Sequence, residues 1–286
     1  MSPEELANAI ETLILKADAR FATNITALQN DLNNQLLSIL KDLEIDTSGY
    51  IVQSSTNRRI LNKADDKINE IFRSNLYVKA VSNYVAVVPK IDLQNINYFH
   101  EIKTNFQSNR VFLKNLQADA IAAVEKFILQ DGLKAQVINP LSQIMSQNVN
   151  TGGMFSGFLQ QVKDFIVGSP DIEGRAMRYT RVYLRDILFQ YSRSYQESVT
   201  NDLGLDWYLY AGGLIDTSRE FCIERAGKFF HRSEIEKWAD LTWKGKIAGT
   251  TSSSIFVFVG GHACAHSLIP VSNIIVPAED LERIPA

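Results

Sequence analysis

Residues 203–213 read LGLDWYLYAGG, and this is where the periodicity of the chain changes. Upstream of Gly204 apolar residues recur every three or four positions, the spacing of helices. From Trp207 the pattern is that of an aromatic-rich strand closing on the pair Gly212 and Gly213. Composition changes at the same place. Of 15 glycines only Gly49 and Gly132 precede residue 150, whereas seven follow residue 205, with all three tryptophans, both cysteines and three of the four histidines. The expected fold is α+β but mostly α. It comprises an elongated helical N-terminal region (1–168) for bundling or partner docking, a long connecting helix (169–204) and a small α+β domain (205–286).

Working upstream, SPDIEGR (169–175) reads as a helix start, with Ser169 as cap, Pro170 entering, and Asp171 and Glu173 favouring the positive end of the helix dipole. Along that helix Met177, Leu184, Ile187, Leu188, Tyr191 and Tyr195 share one face, and Arg178, Arg181 and Arg185 form a stripe beside it. The stripe is expected to be a solvated or ion-paired face, with non-specific contact to DNA or an acidic partner as the alternative. NVNTGGMFSG (148–157) is the most loop-like stretch. Helical patterns cover about 56–73, 75–88, 94–107, 110–130 and 133–147, with Pro89 and Pro140 as boundaries or kinks. The N-terminal stretch starts with a capping box, Ser2-Pro3-Glu4-Glu5, and continues through Leu6, Ile10, Leu13, Ala17, Phe21, Ile25, Leu28, Leu32, Leu36, Ile39 and Leu43 as one long amphipathic helix. Its other faces carry Asn, Gln and Thr more than charge, which suits a helix lodged among neighbours.

At 45% hydrophobic and 21% charged residues with a formal charge of −3, the composition excludes a disordered or strongly basic chain. The N-terminal residues are acidic where a secretory signal is basic. No run approaches the roughly 20 apolar residues of a membrane helix, so no membrane partner is expected. Two cysteines cannot build a disulfide framework, although a single Cys222–Cys264 bridge is conceivable.

Downstream of the opening strand, KFFH (228–231) reads as a strand, RSEIEKWADL as a helix, and SIFVFVGG and SNIIVP as strands. The chemistry-bearing motifs come in a distinctive order. Asp216-x-x-Arg219-x-x-Cys222 is followed by Ala226-Gly227-Lys228 with an aromatic pair and by a short helix ending in Trp238. Gly260-Gly261-x-x-Cys264-x-His266 then leads into Leu-Ile-Pro270-Val. Over about 170–274 this resembles the head-morphogenesis family of tailed phages, the Mu F-like minor head proteins. Many members carry Cys-Arg-Cys or Cys-Arg-His at the second motif, where this chain has Ala265. The resemblance implies a virion structural component near the portal vertex, assembled in the host cytoplasm. It would be present in multiple copies, with the portal and major capsid proteins as partners and a role in capsid assembly, DNA packaging or ejection. The competing readings are a metal- or thiol-dependent enzyme, nuclease or hydrolase, carried in the virion, and a toxin-like protein.

Cys222, Cys264 and His266 with either His231 or His262 make a chemically sensible tetrahedral zinc set, soft thiolates with imidazoles. Against zinc stands the lack of a second cysteine near Cys222, and a cluster of packed thiols and hydrogen-bonded histidines is the favoured expectation. If 262–266 is extended, Cys264 and His266 lie about 7 Å apart at Cα, which disfavours a catalytic thiol–imidazole pair. The family-signature residues are assigned structural roles. Asp216 caps the turn, Arg219 reaches a carboxylate or carbonyl across the fold, Gly227 ends a helix in the left-handed region, and Trp238 and Trp243 pack in the core. Gly260 and Gly261 turn the chain out of a strand.

Overall fold

The computed structural model describes residues 1–107 and 109–283. It is 67% helical with small antiparallel sheets near the C-terminus, the mostly-α, α+β class expected. Helix α1 (Pro3–Leu40) starts at the capping box: Ser2 Oγ accepts from the Glu5 amide at 3.1 Å and Glu5 Oε2 accepts from the Ser2 amide at 2.7 Å. It buries Leu6, Ile10, Ile14, Phe21, Ile25, Leu28, Leu32, Leu36 and Leu40. Ile14 and Leu40 turn inward more fully than the expected Leu13 and Ile39, because the 3.6-residue turn drifts from a strict three-or-four count.

The following helices are α2 (Ser55–Phe72), α3 (Asn75–Val85), α4 (Val88–Ile102), α5 (Arg110–Leu129) and the single turn α6 (Asp131–Leu133). A π-type stretch, Lys134–Ile138, leads into α7 (Asn139–Thr151). Pro140 sits at this change of winding, and the Gln136 carbonyl, which its missing amide would have served, accepts from Arg175 Nε at 3.1 Å. Helix α8 (Phe155–Ile166) follows after only three residues. The 148–157 segment is thus a correction: it is helical at both ends, and the Gly153 amide returns to the Asn148 carbonyl at 2.8 Å to close a tight turn.

A second correction concerns SPDIEGR. Strands β1 (Gly168–Ser169) and β2 (Ile172–Glu173) form a hairpin around Pro170 and Asp171, and the helix α9 (Arg175–Leu203) starts six residues later than expected. A Cβ on Gly168 would lie 2.1 Å from the Ile172 carbonyl oxygen, so the glycine permits a backbone approach that closes the hairpin first. Asp171 and Glu173 consequently lie before the helix.

Contacts divide the chain into two compact units, Met1–Ala17 with Ala86–Ile121 and Leu184–Ala286, and Asp18–Val85 with Ala122–Tyr183. The units interleave along the sequence, whereas the expected regions follow one another. Within the second, Asn57 is fully buried and satisfied: its Oδ1 accepts from the Glu44 amide and its Nδ2 donates to the Glu44 and Val52 carbonyls.

The first unit contains the sheet. β3 (Trp207–Ala211) is central, flanked antiparallel by β4 (Phe229–His231) and β5 (Ser267–Val271), with α10 (Glu220–Ile223) between β3 and β4. Helix α11 (Arg232–Lys237) follows β4, and α12 (Ile255–Phe258) precedes β5. Every residue of β3 and β5 is buried. Pro270 is tolerated because β5 is an edge strand: its carbonyl accepts from Tyr98 Oη at 2.6 Å, so its nitrogen also faces away from β3, where no donor is needed.

Two expected strands are absent. IFVF is helix α12, because Thr251 and Ser254 exchange hydrogen bonds (Thr251 amide to Ser254 Oγ 2.8 Å, Ser254 amide to Thr251 Oγ1 3.2 Å) and start a helical turn. Both edges of β3 are also already filled. SNIIVP holds a 3-10 turn, Asn273–Ile275, capped by Ser272, before the last turn α13 (Ala278–Leu281).

The register of α1 is directly testable. Ile14→Ala is expected to cost about 2–5 kcal/mol, read from the urea unfolding midpoint, and Leu13→Ala less than half as much; equal losses would contradict the buried face described.

Candidate functional site

The site is built from α10, the turn leaving α12 and the neighbouring face of α9. Helix α10 stops at Ile223, short of the expected end at Gly227; Gly227 is left-handed (φ 74) at the close of the turns that follow, and its amide donates to the Tyr210 carbonyl at 2.9 Å. Asp216 is exposed and is not the cap: Ser218 closes that turn by accepting from the Ile215 amide at 2.8 Å, and Arg219 holds the N-cap position without a side-chain cap. Arg219 instead reaches across to the Gly260 carbonyl (3.3 Å) and the His262 carbonyl.

Residues 259–263 turn and are not part of a strand. Val259 (φ 44) and Ala263 (φ 56) hold positive φ although neither is glycine, and Gly261 (φ 95) lies between them. Such conformations cost of order 1–3 kcal/mol each and persist only when the surroundings impose them. Here the imposing contacts are visible. The Ala263 amide donates to Asp186 Oδ1 at 2.8 Å, the His262 amide to the Gly245 carbonyl at 2.9 Å, and Trp243 Nε1 to the Gly260 carbonyl at 2.9 Å. A Cβ on Gly261 would fall 2.0 Å from the Gly245 oxygen.

Beneath this turn lies Arg193 of α9, fully buried. It donates to the Val257 carbonyl at 3.1 Å, the Cys264 carbonyl at 2.6 Å and the His266 carbonyl at 2.5 Å. The turn therefore brings Cys264 and His266 to Cys222. The three ligand atoms lie within 4.8 Å of one another, and all three residues are buried. Cys264 Sγ is 3.7 Å from His266 Nδ1, so the thiol–imidazole contact that an extended strand disfavours is present. Tyr210 Oη, from β3, donates to Cys222 Sγ at 3.2 Å. Both cysteines are free thiols, not the bridged pair that had been conceivable. A Cβ on Gly260 would lie 2.6 Å from Cys264 Sγ and 2.7 Å from Cys222 Sγ, so only glycine leaves the sulfurs their places.

The two thiols ionise differently. Cys264 is held well below the usual thiol range by the hydrogen bond from Cys222, by His266 and by the Arg193 guanidinium, against the opposing effect of burial. Cys222 is pushed up, because it supplies that hydrogen bond and is itself desolvated. His266 Nε2 is buried with no hydrogen-bond partner.

The other candidates lie elsewhere. His231 caps α11, its Nδ1 accepting from the Ser233 amide at 3.2 Å, and His262 is exposed with Nδ1 3.8 Å from Asp186 Oδ2. Neither belongs to the Cys222, Cys264 and His266 group. Trp238 is core, and Trp243 stacks on Phe221 at 4.0 Å. In the arginine stripe, Arg181 pairs with Glu173 at 2.5 Å and Asp18 at 3.5 Å; Arg178 is exposed and Arg185 half-buried.

Arg193, Asp186 and Tyr210 went unassigned at the level of sequence. The available signal was that Arg193 falls off the arginine stripe, one helical turn from Phe189 and near Gln196 and Thr200 on a buried face.

A cleft of about 990 Å³ opens beside the cluster, lined by Arg219, Cys222, Arg225, Trp243, Cys264 and His266 among others. A thiolate beside an imidazole is the start of a nucleophilic site, but such sites use a third group to orient the base. With Nε2 unpartnered, that group is missing among the described residues. The chain was compared with family models, curated proteins and solved structures, and none of them matches it.

Two outcomes follow. Arg193→Met strips three carbonyls of a charged donor and is expected to destabilise the chain by about 3 kcal/mol or more, read as a lowered unfolding midpoint. In chelator-treated protein at neutral pH, thiolate ultraviolet absorbance is expected in the wild type and in Cys222→Ser, and is expected to be lost in Cys264→Ser. Because the folded pKa of Cys264 is depressed, the stability contributed by its thiolate is fully present above the unfolded thiol pKa and is lost as pH falls through the folded one; absorbance indifferent to Cys264→Ser would contradict the assignment.

Proposed function

We propose that the chain is a structural component of a tailed-phage head, a minor head protein that works near the portal vertex in capsid assembly and in DNA packaging or ejection. One observation carries this reading. The spaced signature that resembles the head-morphogenesis family folds onto itself: Arg219 clasps the turn at Gly260 and His262, Gly260 backs both sulfurs, and Cys264 and His266 meet Cys222. Residues at such spacings that pack on one another suit a scaffold module.

Exposed apolar side chains at the lip of the same region, Leu214 and Ile215, give the portal or the major capsid protein an apolar surface to cover, and several copies would serve one vertex. The exposed Arg178 offers at most a non-specific contact to packaged DNA. No described helix is long and apolar enough to cross a membrane.

The contact between Cys264 and His266 beside a cleft supports a second reading, a metal- or thiol-dependent hydrolase or nuclease carried in the virion.

In cells making phage particles, the chain is expected in proheads or mature virions by mass spectrometry, and co-expression with the portal protein is expected to pull both down together. Absence from proheads and virions alike would sink the structural reading.

A further inference from the structure

We propose that Cys222, Cys264 and His266 form a zinc site, with two thiolates and one imidazole as ligands and a water from the adjoining cleft in the fourth position. The site does not depend on the phage-head reading.

Geometry comes first. Zinc–sulfur bonds of about 2.3 Å and zinc–nitrogen bonds of about 2.0–2.1 Å, at a tetrahedral angle, put sulfur and nitrogen roughly 3.6 Å apart. Cys264 Sγ and His266 Nδ1 are 3.7 Å apart, and no pair of ligand atoms in the trio exceeds 4.8 Å. The three donors are thus already spaced as neighbouring corners of one coordination sphere, with only small adjustments needed to admit the ion.

The donor set and its surroundings point the same way. Two thiolates and an imidazole favour zinc over the hard cations, which take oxygen ligands. Cys222 and Cys264 bind as thiolates, releasing their protons to solvent as the zinc–sulfur bonds form. Tyr210 Oη, already 3.2 Å from Cys222 Sγ, donates to that sulfur as an outer-shell partner. His266 has no protein partner at its buried Nε2, so apart from packing against Tyr210 only the contact at Nδ1 orients its ring, and a bond from Nδ1 to zinc supplies the missing constraint. All three residues line the cleft, which gives the ion and its water a way in. His231 and His262, the fourth ligands suggested by sequence, are committed elsewhere, and this leaves the fourth corner to solvent.

The test uses the full chain purified under reducing conditions without chelator. Stoichiometric zinc by elemental analysis is expected. After zinc removal, cobalt(II) is expected to give the intense visible absorption of tetrahedral coordination together with a thiolate-to-cobalt charge-transfer band, both erased by added zinc. Cys222→Ser, Cys264→Ser and His266→Gln are each expected to weaken zinc binding by more than the roughly 10–100-fold that outer-shell changes cost. Tyr210→Phe is expected to stay within that range and keep the tetrahedral spectrum. A wild-type chain whose two cysteines titrate as free thiols, yet which gives no tetrahedral cobalt spectrum, would overturn the site whatever the variants do. Zinc affinity unchanged in all three ligand variants, or a Cys222–Cys264 disulfide in protein isolated without air, would overturn it equally.

Discussion

The arrangement around the site depends on one buried charge, the guanidinium of Arg193. It donates to the carbonyls of Val257, Cys264 and His266, three points on a single short segment. A buried cation is costly unless it is hydrogen-bonded and its charge is offset. The carbonyls supply the hydrogen bonds, and the Cys264 thiolate with Asp186 supplies opposing charge. Burial lowers the pKa of Arg193, the cost of taking its charge out of water. The same guanidinium thus holds the backbone that presents Cys264 and favours the ionised state of its sulfur.

The backbone it holds is strained. Positive φ at Val259 and Ala263 has no local justification in residue type, since neither is glycine, asparagine or aspartate. The compensation comes from tertiary contacts: Asp186 takes the Ala263 amide, Trp243 and Arg219 take the Gly260 carbonyl, and Arg219 takes that of His262. Strain maintained by so many contacts at one turn is common where side chains must be aimed at one another, and here it aims two sulfurs and an imidazole.

Helices whose burial repeats cleanly were legible in the sequence, α1 with its capping box above all. So were β3 and β4, and the proximity of the DTSREFC and GGHACAHSL motifs. The misread stretches share a cause. IFVF has strand composition, but β3 has no free edge for it, and that is a property of the whole sheet. At Ser169 the cap-and-proline pattern is genuine, yet a glycine-permitted hairpin uses the same residues first. Reading 262–266 as one extended stretch missed the turn at Ala263, held by Asp186 from a distant helix, and the Cα spacing understated the reach of the two side chains, which meet at 3.7 Å. Arg193 was hidden because a buried arginine and a solvated one look alike until the neighbouring chain is placed.

The dependence of the cluster on Arg193 can be measured with a bifunctional bimane reagent, which fluoresces only when both arms are alkylated by thiols a few ångströms apart. The expected result is a fluorescent adduct joining Cys222 to Cys264 in the native wild-type chain, sharply reduced in Arg193→Met. Singly alkylated, non-fluorescent cysteines in the native wild type, or an undiminished adduct in Arg193→Met, would contradict the role given to that buried charge.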